Sequence, residues 1–445
     1  MKKNEYGLFT AIGMIVGIVI GSGIFFKSDN ILVATNGSIS LGIIVFSIAA
    51  LGIIFGSLSI SELASRESKA GGIISYAEYS YNKSVACALG WFHTFLYYPT
   101  LTAVVAWVSG VYICMLFGIE GGLAIQSVIA FAVIGFLYIL NLLSAKLGGY
   151  FQNASTIIKV IPLIIIAFAG VFFGNPSEIN IDEVVHMKSA SWIAAIAPIA
   201  FSFDGWIVST SIGHEIKNSK KNLPKALVMA PLFILLLYIF YFVGISIYVG
   251  PETIMQLGDA HVDVAANMLF GKWGAKIILT FVVISILGTV NGLVMGHIRL
   301  PYSLALRDMF PKSDLVKKVN EKIGMPIYST IVAFTITIIC LVINYITQEY
   351  GLLPNSDISE ISITVNYLLY ILLYIKVFKM GLEGEISGLW RGKINPILAT
   401  VGSLIIFSGS LSNPLFFIYL LICGSLLLSA IVFWSIKQKR ENLIK

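Results

Sequence analysis

The chain has 445 residues, 57% of them hydrophobic and only 12% charged, with a mean hydropathy of +0.89 and a formal charge of +6. Soluble domains carry about 25% charged residues, so a water-soluble fold is excluded, and apolar runs of bilayer length recurring from end to end predict a helical membrane protein. The positive charge lies mostly in short loops, where it sets orientation in the membrane, so it calls for no nucleic-acid partner.

Twelve spans are predicted, at 8–34, 40–65, 84–117, 122–142, 152–174, 190–212, 226–250, 273–306, 327–346, 360–378, 397–411 and 414–436. No long soluble block interrupts them, so residues 1–445 form one membrane domain. The first run is too long for a cleavable signal peptide and lacks a small-residue cleavage site. With the N-terminus inside, 23 of the 29 Lys and Arg residues fall in cytoplasmic segments. Lys27, Lys188, Lys272 and Lys276 fall outside, and Lys159 and Arg299 within spans. This asymmetry predicts that both termini are cytoplasmic. Two loops carry structure signals. "ESKAGGIISYAEYSYNKS" (67–84) reads as a short amphipathic or re-entrant element, and "PETIMQLGDAHVDVAANMLFGK" (251–272) as a surface helix. Cys87, Cys114, Cys340 and Cys423 lie in or beside spans at no metal-ligand spacing and read as packing residues.

Two spans are interrupted near mid-membrane, span 1 by "IGSGIF" (20–25) and span 6 by "FSFDGW" (201–206). Splitting the first ten spans into two groups of five puts these breaks at corresponding positions. The halves, about 8–174 and 190–378, then have opposite topologies, with spans 11 and 12 (about 397–436) appended. Corresponding broken helices in two such halves point to a transporter with inverted repeats and to its binding site. Gly21 and Gly23 permit non-helical angles, and the freed N–H groups, with the Ser22 hydroxyl, suit a carboxylate. The carbonyls of Val19, Ser202 and Asp204 suit an ammonium, which donates three hydrogen bonds. Phe201 and Phe203 offer apolar cover. Such a site describes an α-amino acid. Close packing of small residues is the alternative reading of the Gly-Ser-Gly stretch.

Lys159 is the ionisable group in a span that most needs a partner, since a central Lys costs roughly 2.5–3.5 kcal/mol on insertion scales. Snorkelling to the cytoplasmic interface is one reading. In the other, its ammonium bonds carbonyls of unwound span 1 and hydroxyls of span 8, where Ser285 and Thr289 share a helix face. A fixed cation there does the work that Na⁺ does in a coupled symporter, or a Lys of lowered pKa carries a proton. The Asp204 carboxylate reads as a brace for the break rather than a cation site, and Tyr238 as a hydroxyl in reach of the broken helices. Glu62, Glu215 and Arg299 are expected to pair, and His93 and His297 to be satisfied core groups. No nucleophile elbow, P-loop or zinc helix occurs, so neither an enzyme nor an ATP-driven pump is expected, and no metal or cofactor.

On "IGSGIF", "KAGGIISYAE" (69–78), "IKVIP" (158–162), "FSFDGW", "GHEIKNSKKNLPKAL" (213–227), "ILGTVNG" (286–292) and the stretch 307–326, the chain resembles the amino acid–polyamine–organocation superfamily. Within it the chain looks like the L-type amino-acid transporters, and most like bacterial exchangers of small neutral amino acids of the serine/threonine and alanine–serine–cysteine kind. The resemblance implies a five-plus-five inverted repeat and sodium-independent exchange of alanine, serine, cysteine or threonine across the plasma membrane. It further implies that Ser22 and Gly23 bind the substrate carboxylate. The carbonyls of Val19, Ser202 and Asp204 bind the amino group, and Phe201 is the outer gate. Lys159 ties span 5 to Gly21 and Thr289, and Tyr238 lines the pocket or its cytoplasmic exit. Ser219 departs from the pattern, replacing a proline. Animal relatives join a glycoprotein through a cysteine between spans 3 and 4; "FGIEGG" (117–122) has none, so no disulfide-linked heavy chain is expected. Proton- or sodium-coupled symport, and a non-transporting amino-acid sensor, stay open as alternatives.

Overall fold

Inside hydrocarbon every backbone N–H and C=O must find a partner within its own segment, which makes helices the default. The computed structural model describes residues 6–21, 24, 28–179, 196, 199, 202–353, 357–411 and 415–444. Among these the regular structure is helical, apart from one isolated bridge between Tyr6 and Ile216. Nine apolar helical stretches of the described residues are long enough to cross a bilayer: Ile39–Arg66, Lys83–Phe117, Gly122–Leu143, Ala145–Phe173, Ser219–Val249, His261–Leu306, Ile327–Glu349, Ile358–Leu382 and Phe416–Arg440. They coincide with predicted spans 2–5, 7–10 and 12. Shorter apolar helices, Leu8–Val19 and Asn395–Ser410, match the first part of span 1 and span 11. The structure therefore has the expected all-α membrane architecture.

Spans 5 and 7 begin a turn or two before their apolar runs, at Ala145 and Ser219, because a polar first turn still satisfies the helix. Ser144 caps span 5 by accepting from the Lys146 N–H. Spans 2 and 8 are largely enclosed, whereas spans 4 and 12 turn Phe131, Phe136, Phe417 and Leu421 outward, as lipid requires. Close helix contacts fall at glycines: a Cβ on Gly170 of span 5 would sit 2.2 Å from the Gly244 carbonyl oxygen of span 7.

The loop between spans 2 and 3 is a helix, Ile73–Ser80, with Ile73 to Ala77 all buried, so it is tucked into the bundle rather than laid on a surface. The loop after span 7 forms Pro251–Leu257 and His261–Phe270, as its apolar spacing predicts. After span 5 a short 3₁₀ turn forms at Pro176–Glu178, and residues 180–195 lie outside the described residues.

One face gathers many of the basic segments. Tyr6 pairs through its backbone with Glu215 and Lys217, at 3.1 and 2.8 Å. Arg307 donates to the Ala70 carbonyl and to Glu78, and Lys437 donates to the Asp308 carbonyl. Beneath this face Arg299 and Glu215 form a buried two-pronged ion pair at 2.5 and 2.9 Å. Glu62, expected in the same cluster, instead pairs with Arg66 and Arg391 at 2.9 and 2.8 Å.

Candidate functional site

The first half of span 1 is an unremarkable helix up to Val19. There Ile20 turns extended (φ −77°, ψ 91°) and the Gly21 N–H bonds back to Val19 at 3.0 Å. The Gly17 carbonyl thereby loses its usual amide partner, the Gly21 N–H, at the negative end of a helix dipole. What replaces that partner defines the site.

Lys159, fully buried on span 5, donates from Nζ to the carbonyls of Gly17 (2.6 Å), Ile20 (2.7 Å) and Ser285 (2.8 Å), with the Thr289 hydroxyl at 3.4 Å. The Thr289 hydroxyl also lies 3.2 and 3.3 Å from the carbonyls of Gly17 and Ile18. Ser285 turns its hydroxyl to the carbonyls of Ile20 and Gly21, at 3.2 and 3.4 Å. One ammonium and two hydroxyls thus clamp the unwound end of span 1 to spans 5 and 8. Full burial with inward-facing partners excludes snorkelling. Two expectations are corrected. Ser285 offers Lys159 its carbonyl, not its hydroxyl, and Lys159 holds Gly17 and Ile20 rather than Gly21, because the chain has already turned away at Ile20.

The break in span 6 follows a turn at Ser202–Gly205 and continues as a tight 3₁₀ helix, Trp206–Glu215. Here the glycine is obligatory. Gly205 has φ +91°, and a Cβ on it would lie 2.5 Å from Ile18 Cγ2. Gly21, by contrast, has no left-handed φ, so its role in the break is not conformational licence. The Asp204 carboxylate is buried and accepts from the hydroxyls of Tyr97 (2.7 Å) and Tyr367 (3.0 Å), the brace expected of it. Tyr97 sits in a π-turn, His93–Tyr97, that bends span 3 toward the break.

The two broken spans meet at Tyr238. Its hydroxyl lies 3.2 Å from the Val19 carbonyl and 3.2 Å from the Ser202 carbonyl. Its ring packs on buried Phe203, centroids 4.9 Å apart. A single donor between these two acceptors marks where a substrate donor could bind both. Ser22, Gly23 and Phe201 lie outside the described residues.

Sequence reading missed Tyr97 and Tyr367, whose only signal is a phenol within an apolar run, and it missed Gly205. His297, expected to be a satisfied core group, is bonded to Tyr138 and to the Thr94 carbonyl, and His93 is buried among the rings of Phe92, Tyr97 and Tyr98. Among the described residues no three His, Cys, Asp or Glu side chains converge as a metal site would need, and all four cysteines are free and buried.

Paired broken helices, one clamped by a buried lysine and both exposing carbonyls at a shared point, define a membrane carrier of small solutes. The comparisons name the class. The chain belongs to the Amino acid permease family, whose model matches residues 6–440, within the amino acid–polyamine–organocation superfamily. It is 29% identical over 415 residues to the serine/threonine exchanger SteT of Bacillus subtilis (strain 168), covering 92% of this chain and 91% of that one. The human b(0,+)-type amino acid transporter 1 is 29% identical over 311 residues, 67% of this chain and 62% of that one. The human cystine/glutamate transporter is 23% identical over 346 residues, 76% and 68%. The protein is a multi-pass amino-acid transporter and not an enzyme.

Proposed function

We propose that the protein is a sodium-independent antiporter that exchanges small neutral L-amino acids, such as alanine, serine, cysteine and threonine, across the plasma membrane. The observation that carries this reading is the Tyr238 hydroxyl shared between the Val19 and Ser202 carbonyls. A substrate ammonium, with three donors, bonds both of these carbonyls at once. The carboxylate then falls to the N–H groups and hydroxyl of Ser22 and Gly23, and the Asp204 carbonyl completes the amino-group site. The small-side-chain preference is supported by the bulk of Phe203 and Ile207, both buried beside the break in span 6.

Sodium independence is supported by Lys159. Its ammonium occupies the meeting point of spans 1, 5 and 8 that a coupling cation would otherwise fill. Alternating access follows if spans 1 and 6 move as a unit against the scaffold, the two halves being about residues 8–174 and 190–378. The charge asymmetry supports cytoplasmic termini, and the chain is proposed to act without a disulfide-linked heavy chain.

The test is uptake of labelled alanine or serine into liposomes that are empty or preloaded with unlabelled amino acid, without ion gradients. Uptake only into preloaded vesicles supports exchange. Concentrative uptake into empty vesicles under an imposed proton or sodium gradient makes the protein a symporter instead.

A further inference from the structure

The basic face holds a second site. A cavity of about 1080 Å³ opens there between the loop after span 2, the junction of spans 6 and 7, and the end of span 8. It exceeds a drug-sized pocket and lies apart from Val19, Ser202 and Tyr238. Lys69, Lys83, Lys220, Lys221 and Arg307 line it, against a single carboxylate, that of Glu78. Arg307 consumes that carboxylate at 2.6 Å. Lys69 reaches Glu67 at 3.4 Å, while Lys83, Lys220 and Lys221 have no carboxylate within ion-pair distance among the described residues.

Neutral donors face the same space. The Ser219 hydroxyl is buried with no hydrogen-bond partner among the described residues, and Ser219 and His214 both line the cavity. His214 Nε2 stands 3.5 Å from Glu215, whose carboxylate is already held by Arg299. Ser219 also begins the 31-residue helix of span 7, so the positive end of that helix dipole lies at the cavity. This is the position at which the sequence departs from a proline, a residue that brings neither a hydroxyl nor an N–H.

We propose that this cavity binds a phosphate-bearing anion, supplied as a free phosphate or as the headgroup of an anionic lipid. Its lining offers cations and neutral donors, its one carboxylate is already paired, and donors spread over three segments suit the several acceptor oxygens of a phosphate. Bridging those segments, the ligand stabilises the arrangement in which Tyr6 is paired with Glu215 and Lys217, and so slows exchange. That last consequence rests on the transport reading; the binding itself does not.

The full-length protein and the double variant Lys220→Gln/Lys221→Gln are compared, with Ser219→Ala as a third form. All three positions lie in or beside the cavity and outside the amino-acid site. One arm titrates inorganic phosphate into detergent-purified protein by calorimetry, against sodium chloride at equal ionic strength. The other measures exchange in liposomes of phosphatidylcholine with and without phosphatidylglycerol. Saturable phosphate binding, weakened about tenfold for each lysine removed, supports a site for free phosphate. Exchange slowed by phosphatidylglycerol in the wild type but not in the double variant supports a lipid-headgroup site. If wild type and double variant respond alike in both arms, the proposal is overturned. A wild type that binds phosphate but shows no amino-acid flux overturns the transport reading and leaves the anion site standing.

Discussion

Replacing Lys159 by alanine removes the one donor shared by the carbonyls of Gly17, Ile20 and Ser285, which it meets at 2.6, 2.7 and 2.8 Å. A buried acceptor left without its charged donor costs ~1–3 kcal/mol, so the three together cost ~3–9 kcal/mol. The hydroxyls of Ser285 and Thr289 already point at Gly17 and Ile20 and recover part of this, which favours the lower end. Even ~3 kcal/mol is about two orders of magnitude in the population of correctly folded span 1. Exchange in liposomes is therefore expected to fall by about that factor. The vacated space is bounded by three carbonyls and two hydroxyls, an all-oxygen set suited to a hard cation. Sodium chloride is accordingly expected to restore part of the variant's exchange and raise its thermal stability, and choline chloride at equal strength to do neither. Sodium should leave the wild type unchanged. A variant that exchanges at the wild-type rate without sodium would refute the reasoning, because the clamp would then be dispensable.

Four further outcomes follow from the geometry. Tyr238→Phe removes the hydroxyl between Val19 and Ser202; the empty protein should lose ~1–2 kcal/mol, and added alanine should raise its melting temperature more than it raises that of the wild type. Gly205→Ala places a side chain at φ +91° and 2.5 Å from Ile18, a strain of ~1–3 kcal/mol or more, and should abolish exchange while Gly21→Ala, where Thr289 at 3.6 Å is the nearest contact among the described residues, is milder. Arg299→Gln leaves Glu215 buried and uncompensated, a loss of ~3–5 kcal/mol in thermal unfolding; the double change Arg299→Met with Glu215→Leu should recover most of it. Asp204→Asn keeps one acceptor but loses the charge that Tyr97 and Tyr367 share, and is expected to lower the exchange rate more than the substrate affinity, read as kcat against KM.

Hydropathy and the positions of the two breaks are local properties, and the sequence alone carried them. The spans, the interruption after Val19, the buried demand of Lys159 and the bracing role of Asp204 all follow from residue type and spacing. Even the short helix at Ile73–Ser80 was legible, although its burial was not, since nothing in "GGIISYAE" says which neighbours will enclose it.

What tertiary structure decided is who meets whom. Lys159 and Gly17 are 142 residues apart, and only the packing of span 5 against span 1 selects Gly17 and Ile20 over Gly21. The same placement turns the Ser285 hydroxyl to Ile20 and Gly21 and sends Glu62 to Arg391. It also makes Gly205, rather than Gly21, the glycine the fold cannot replace, because strain depends on a φ angle and a neighbour's position that residue type does not encode. Sequence thus determined that an unwound span would expose carbonyls in hydrocarbon. Structure decided that an ammonium from one span and a phenol from another would satisfy them, since side-chain hydrogen bonds act over about 3 Å, a scale set by helix placement rather than by hydropathy.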